Sequence, residues 1–228
     1  MKGCVILTYD EACRNFNEIM SFLEKDNYQS AFDQIDKTVV RREQASGGEG
    51  MHRGYYCPSI IEDIVIGNIN RGRLIKKLSK QKIDYTYGFD ALNRLVTVIN
   101  HTEVGNIYEY VLYIDHIQYG VQYGYSFGKE YLHLISKCYY VDNKLTSYEQ
   151  YLCEYLSKGF AEYSGEFYHY QEDEMDVESV YFFNRPTGES YLSRNHEYKF
   201  RISKGFLTDY IADGKKSYIV RLKRKILE

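Results

Sequence analysis

Between Asp10 and Lys25 the apolar positions are Ala12, Phe16, Ile19, Met20 and Leu23. Steps of four, three, one and three put them on one stripe of a helix with 3.6 residues per turn. Thr8 or Asp10 suits the first turn as a cap. Asp26-Asn27 then breaks the pattern and offers a cap for a second helix, in which Tyr28, Ala31, Phe32, Ile35 and Val39 repeat the stripe. Two amphipathic helices with so short a joint predict an αα-hairpin over residues 1–45. Its apolar face must pack on whatever follows. Ala45-Ser46-Gly47-Gly48-Glu49-Gly50 reads as a flexible loop or linker, which makes 46–54 the best internal boundary.

From Tyr55 onward the period becomes two. Tyr85, Tyr87 and Phe89 alternate with Thr86 and Gly88; Tyr108, Tyr110 and Leu112 alternate with Glu109 and Val111. Ile135, Tyr139 and Val141 continue the theme, and Tyr148, Tyr151, Leu152 and Tyr155 fit a bulged strand or a short helix. Phe167 and Tyr168 lead to Val180–Phe183; Tyr198, Phe200 and Ile202 alternate with Lys199 and Arg201; Tyr218–Leu222 is the last strand. Polar turns separate these runs, at Asp90-Ala91-Leu92-Asn93, Asp142-Asn143-Lys144, Arg185-Pro186-Thr187-Gly188 and Asp213-Gly214. No long helical pattern intervenes, so parallel crossovers are disfavoured. The pattern predicts an α+β protein. An N-terminal αα-hairpin is followed by a large, twisted antiparallel β-meander over 55–228, open or curled into a partial barrel, with the helices packed on it as one compact unit.

Composition sharpens this picture. The 228 residues include 26 Tyr and 11 Phe, with no Trp and only 2 Pro. Such an aromatic load excludes a disordered chain and suits pleated, half-buried surfaces. Tyrosine fits both faces of a sheet, because its ring buries and its hydroxyl finds water. Lys plus Arg (29) against Asp plus Glu (32) leaves a net charge of −3, which argues against a dedicated nucleic-acid binder. No apolar run approaches the roughly 20 residues of a membrane-spanning helix. The N-terminal apolar stretch is too short for a signal peptide, so the cytoplasm is the expected location. The five cysteines (Cys4, Cys13, Cys57, Cys138, Cys153) are odd in number and widely spaced, as befits reduced thiols.

Known catalytic signatures are missing: a phosphate-binding loop, a dinucleotide fingerprint, a nucleophile elbow and a His-Glu-x-x-His helix. The sequence therefore points to no cofactor, metal or catalytic residue. Cys57, next to Pro58 and near His52, lacks a visible activating base and reads as the inward-facing start of a strand. Two charge runs stand out. Glu166, Glu172, Asp173, Glu174, Asp176 and Glu178 form an acidic run with no Lys or Arg. Such a run is a solvated loop or a patch for a basic partner. Tyr168, Tyr170 and Tyr181 beside it are suited to anchor that partner. The candidate binding site is therefore Tyr168, Tyr170, Glu172, Asp173, Glu174, Asp176, Glu178 and Tyr181. The opposite feature is basic: Arg71, Arg73, Lys76, Lys77, Lys80 and Lys82, and again Lys215, Lys216, Arg221, Lys223, Arg224 and Lys225. Side by side, these strands would form a phosphate-binding face with stacking tyrosines; apart, they guard sheet edges against aggregation.

The segment Tyr85-Thr86-Tyr87-Gly88-Phe89-Asp90-Ala91-Leu92-Asn93-Arg94-Leu95 resembles an RHS or YD repeat, with its Tyr-x-Tyr-Asp start, turn and Gly-Arg-Leu-like return. Asn93 stands where that family has glycine, and both residues tolerate positive φ. One extra residue, Gly88 or Phe89, interrupts the Tyr-Asp step. Tyr108-Glu109-Tyr110 follows 23 residues after Tyr85, close to one repeat, and the register is then lost. In type, a tyrosine-rich meander with a helical cap is similar to immunity proteins of bacterial polymorphic toxin systems. Those proteins are often encoded beside RHS-type toxins and bind them without catalysis. The resemblance implies a non-catalytic module that binds and neutralises a basic toxin. The alternatives are an enzyme with a dispersed site, a nuclease or hydrolase, and a nucleic-acid-binding sheet. Edge pairing into a homodimer is open to any such sheet.

Overall fold

The computed structural model describes residues 8–23, 27–65, 71–76, 81–153, 159–184, 190–204, 206–212 and 215–218, excepting the side chains of 184, 190–194 and 216–218. The fold is α+β, with two N-terminal helices followed by an antiparallel meander. The helices are α1 (Tyr9–Phe22), α2 (Tyr28–Asp36) and α3 (Ile60–Ile64). The strands are β1 (Arg41–Ser46), β2 (Arg73–Leu74), β3 (Tyr85–Phe89), β4 (Leu95–Thr102), β5 (Gly105–Ile114), β6 (Ile117–Ser126), β7 (Lys129–Val141), β8 (Lys144–Cys153), β9 (Phe160–Tyr170), β10 (Glu174–Asn184), β11 (Ser190–Ser203), β12 (Phe206–Ala212) and β13 (Lys215–Tyr218). Contacts divide the chain into two compact units, Asp26–Tyr140 and a second made of Met1–Lys25 with Val141–Glu228. The expected boundary at 46–54 thus falls inside one unit.

In the Asp26–Tyr140 unit the strands are ordered β7-β6-β5-β4-β3-β1-β2, an open antiparallel sheet. Its two faces are covered differently. On one lies α2: Phe32 meets the edges of Tyr108 and Tyr123 at centroid distances of 5.4 and 6.3 Å, and Tyr28 stacks on Tyr123 at 5.9 Å. Asp36 at its far end accepts from Thr97 Oγ1 (3.2 Å) and from Arg42 (2.7 Å). The helix start is capped from a distance. Asn27 makes no side-chain cap, and the Glu130 carboxylate of β7 accepts from the backbone N–H groups of Tyr28 (2.8 Å) and Gln29 (3.3 Å) instead.

On the other face lies the segment 47–65. The Tyr85 hydroxyl donates to the carbonyls of Gly48 (3.1 Å) and Met51 (3.2 Å). The Tyr87 hydroxyl donates to the Arg53 carbonyl and accepts from the Tyr55 N–H, both at 3.0 Å. Ala45, Tyr85, Tyr87, Phe89, Leu95 and Val98 form the core beneath, with Tyr55, Tyr56 and Leu74 packed against it. The glycine-rich stretch is therefore a clamped loop rather than a flexible linker. Three expectations change here. Val39 lies beyond α2, and Arg41–Ser46 is strand β1, paired from Arg41↔Phe89 to Ala45↔Tyr85. Only Ala45 of β1 is buried, so the strand carries no apolar period. Cys57 closes a single 3-10 turn (Gly54–Tyr56), and Ser59 caps α3 by accepting from the Glu62 N–H at 2.8 Å; no strand starts there.

The β3–β4 hairpin follows the sequence logic. Asn93 sits at φ 60°, and the Asp90 carboxylate accepts from the N–H groups of Leu92 and Arg94, each at 2.9 Å. The strand register shifts between Gly88 and Phe89.

In the other unit the strand order is β8-β9-β10-β11-β12-β13, again antiparallel and open. Helix α1 starts with a capping box between Thr8 and Glu11. Phe16 meets Phe160 (5.4 Å) and Tyr151 (5.6 Å), and Tyr9 meets Phe160 (5.8 Å) and Phe182 (6.0 Å). The run from Tyr148 is a bulged strand, with its register shift between Leu152 and Cys153. Tyr155, the turns at 185–188 and 213–214, and residues 219–222 lie outside the described residues.

Candidate functional site

The acidic run is carried by the β9–β10 hairpin. Glu172 and Asp173 are exposed in its turn. The strands pair in continuous register from Met175↔Tyr170 to Phe183↔Glu162, including Asp176↔His169 and Glu178↔Phe167. Side chains alternate across a strand, so Glu174, Asp176 and Glu178 share one face with His169, while Tyr168, Tyr170 and Tyr181 share the other with Met175 and Val177. The structure thus brings the acids together and sets the tyrosines behind them. Tyr168 is buried and its hydroxyl donates to the buried Glu166 carboxylate; Tyr170 carries Lys144 over its ring at 5.4 Å. The acid face is not unopposed. Lys199 of β11 reaches Glu174 (3.0 Å) and Asp176 (3.8 Å), and His169 lies 3.8 Å from Glu178.

The basic runs are split. Arg71 is bound by the buried Asp63, and Lys82 lies 3.0 Å from both Glu49 and Asp84. Lys76 and Arg73 are exposed, and Lys77 and Lys80 lie outside the described residues. Strand β2 pairs with β1 in one unit, and β13 with β12 in the other. Arg221, Lys223, Arg224 and Lys225 lie outside the described residues.

The least foreseeable group is a buried polar cluster in the Asp26–Tyr140 unit. His52 and Arg53, from the clamped loop, meet Glu109 of β5. Glu109 is 1% exposed and Arg53 2%. Arg53 Nε donates to Glu109 Oε1 at 2.8 Å, and its terminal nitrogens reach Gln118 Oε1 (2.8 Å) and Ser136 Oγ (3.3 Å). His52 Nε2 lies 3.1 Å from both carboxylate oxygens. A carboxylate only accepts, so this nitrogen carries the proton. The chain continues through Gln118 Nε2, donating to Tyr113 Oη (2.7 Å), and Tyr113 Oη, donating to the Leu95 carbonyl (3.0 Å). Gly120 makes room for it, because a Cβ there would collide with Glu109, Arg53 and Ser136.

Burial works against ionisation of Glu109, but the adjacent Arg53 and His52 overcome it and hold the carboxyl at about 2. Burial lowers His52, outweighing the pull of Glu109, and keeps the ring neutral. Sequence reasoning passed over this cluster because His52 and Glu109 are 57 residues apart. Its one local signal was a run of inward positions in β5 and β6 occupied by Glu109, Gln118 and Gly120 instead of apolar residues. Chemically, the cluster fixes the loop to the sheet. Cys57 is buried, with its thiol 3.4 Å from a Glu62 oxygen.

Among the described residues no group of three or more His, Cys, Asp or Glu is placed to hold a metal ion, and no helix is long and apolar enough to cross a membrane. In comparisons with protein families, curated proteins and solved structures, none matches this chain.

Proposed function

We propose that the chain is a non-catalytic protein-binding module, an immunity protein that binds and neutralises a basic bacterial toxin. The supporting observation is the acidic hairpin. Its turn exposes Glu172 and Asp173, and one face of β10 adds Glu174, Asp176 and Glu178. A surface of this sign steers a basic protein toward it and repels acidic ones. The similarity of the tyrosine-rich meander to toxin-immunity proteins supplies the partner class.

The test is calorimetric titration with the protein encoded by the adjacent gene. A stoichiometric complex is expected, weakened about tenfold by the triple reversal Glu172→Lys, Asp173→Lys, Glu174→Lys and weakened further by added salt. Absence of a complex overturns the reading. A complex indifferent to the reversal removes the acidic hairpin from it.

A further inference from the structure

We propose that two hairpin tips at one end of the Asp26–Tyr140 sheet form a docking surface for a basic protein partner. The inference rests on the reading of the chain as a protein-binding module, and is independent of the acidic hairpin. The tips are the β4–β5 turn, carrying Val104, and the β6–β7 turn, carrying Phe127. Val104 is 100% exposed and Phe127 98%. Strands β4 and β6 run in the same direction on either side of β5, so both tips lie at the same end. The pairs Tyr108↔Tyr123 and Ser126↔Lys129 bring them level, about two strand spacings or 10 Å apart. Tyr125, 46% exposed, extends the patch beside Phe127.

Phe127 is in the wrong backbone conformation for its side chain. It sits at φ 50°, followed by Gly128 at φ 75°, in a two-residue turn whose first position favours Asn, Asp or Gly. The other hairpin turns with this backbone put a polar residue there, Lys204 at φ 52° before β12 among them. Asp142 and Asn143 occupy the β7–β8 turn at φ 49° and 61°, and Asp115 sits at φ 53° between β5 and β6. Among the described residues, only this tip spends the strained position on an aromatic ring held in water, where it contributes nothing to the core. A ring and an aliphatic knob at this spacing fit two apolar recesses on a partner.

Local charge selects the partner. Glu103 is in the Val104 turn, Glu130 faces Tyr125 across β6–β7, and Asp33 is close enough to act on Tyr125; Lys129 is the cation of that turn. Three acids against one lysine leave two negative charges around the apolar tips. That field disfavours an anionic bilayer or a second copy of this chain, and favours a basic protein surface.

The test repeats the titration with the adjacent gene's product, using Phe127→Asn, Val104→Thr and the control Leu92→Thr, an equally apolar tip at the opposite end of the sheet. Phe127→Asn is expected to weaken binding about tenfold and Val104→Thr about threefold, with Leu92→Thr within about twofold of the wild type. Phe127→Asn is also expected to raise the thermal midpoint by about 2 °C, because it relieves the backbone and withdraws the ring from water. Wild-type binding with tip variants unchanged overturns this inference and leaves the proposed function standing. Failure of the wild type to bind overturns both. Sedimentation with phosphatidylglycerol–phosphatidylcholine vesicles that Phe127→Asn abolishes, or self-association that it abolishes, overturns the choice of partner.

Discussion

Side chain by side chain, the unusual feature of this protein is how its buried carboxylates are satisfied. Glu149 accepts from the hydroxyls of Tyr151 (3.0 Å) and Tyr163 (3.2 Å), Glu166 from Tyr168, and the half-buried Glu43 from Tyr56. In each, a phenol brings apolar area and one donor to a group that would be costly to bury alone. Tyr151, Tyr163 and Tyr168 thus solvate buried carboxylates from within the protein. Burial together with these acids pushes the Tyr151 and Tyr163 hydroxyls far above the ordinary phenol range, so they remain donors. Other buried carboxylates are answered by cations: Asp63 by Arg71, Asp84 by Lys82, Asp90 by Arg94, and Glu109 by Arg53 and His52. Arg53→Met strands the Glu109 charge, and a loss of about 3–5 kcal/mol is expected in urea unfolding. Adding Glu109→Met is expected to recover much of that loss, because no unpaired ion remains. Gly120→Ala tests the same site sterically: its Cβ meets three of the cluster's polar atoms, and a cost of about 3 kcal/mol or more follows by the same measurement.

Elements differ in how far their sequence announces them. Helix α1 carries its own start, since Thr8 and Glu11 are three residues apart. Helix α2 does not. Its cap is Glu130, 102 residues from Tyr28, and no local pattern contains it. Glu130→Gln is expected to cost about 1 kcal/mol, read as a lower thermal midpoint, because two backbone N–H groups lose an anion at the positive end of the helix. Strand β1 escaped for a related reason. Arg-Arg-Glu-Gln-Ala-Ser is a strand because β3 and β2 bond to it on either edge, and a helical stripe ending at Val39 masks its start. The β3–β4 hairpin was legible because its determinants are local: Asp90 bonds its own turn, and Asn93 tolerates the left-handed region. Asn93→Val, β-branched at φ 60°, is expected to destabilise by about 1–2 kcal/mol, whereas Asn93→Gly stays within about 0.5 kcal/mol; chemical denaturation distinguishes them.

For the molecule as a whole, period-two tyrosines were enough to read the antiparallel meander, but not to read how its polar groups meet. The candidate residues illustrate the limit. Alternation alone separates Tyr168 and Tyr170 from Asp176 and Glu178, yet Lys199 enters that face from β11, where no local sequence rule places it. The His52–Glu109 pair is likewise a product of the fold, and it ties the stability of the Asp26–Tyr140 unit to pH. Burial holds both His52 and His133 below their ordinary value of 6.5. In the unfolded chain both rings take up a proton near 6.5; in the folded chain they do so only at a lower pH. Their contribution is therefore complete above 6.5 and declines as the pH falls through it. Glu109, held at about 2 against 4.5 unfolded, adds a second loss below 4.5 that amounts to about 3 kcal/mol once the pH nears 2. Urea midpoints between pH 7 and 5 are expected to fall in the wild type. His52→Gln, whose amide still donates to Glu109, is expected to fall less steeply there, with the loss below 4.5 retained. An unchanged slope in that variant would mean that His52 is protonated inside the fold.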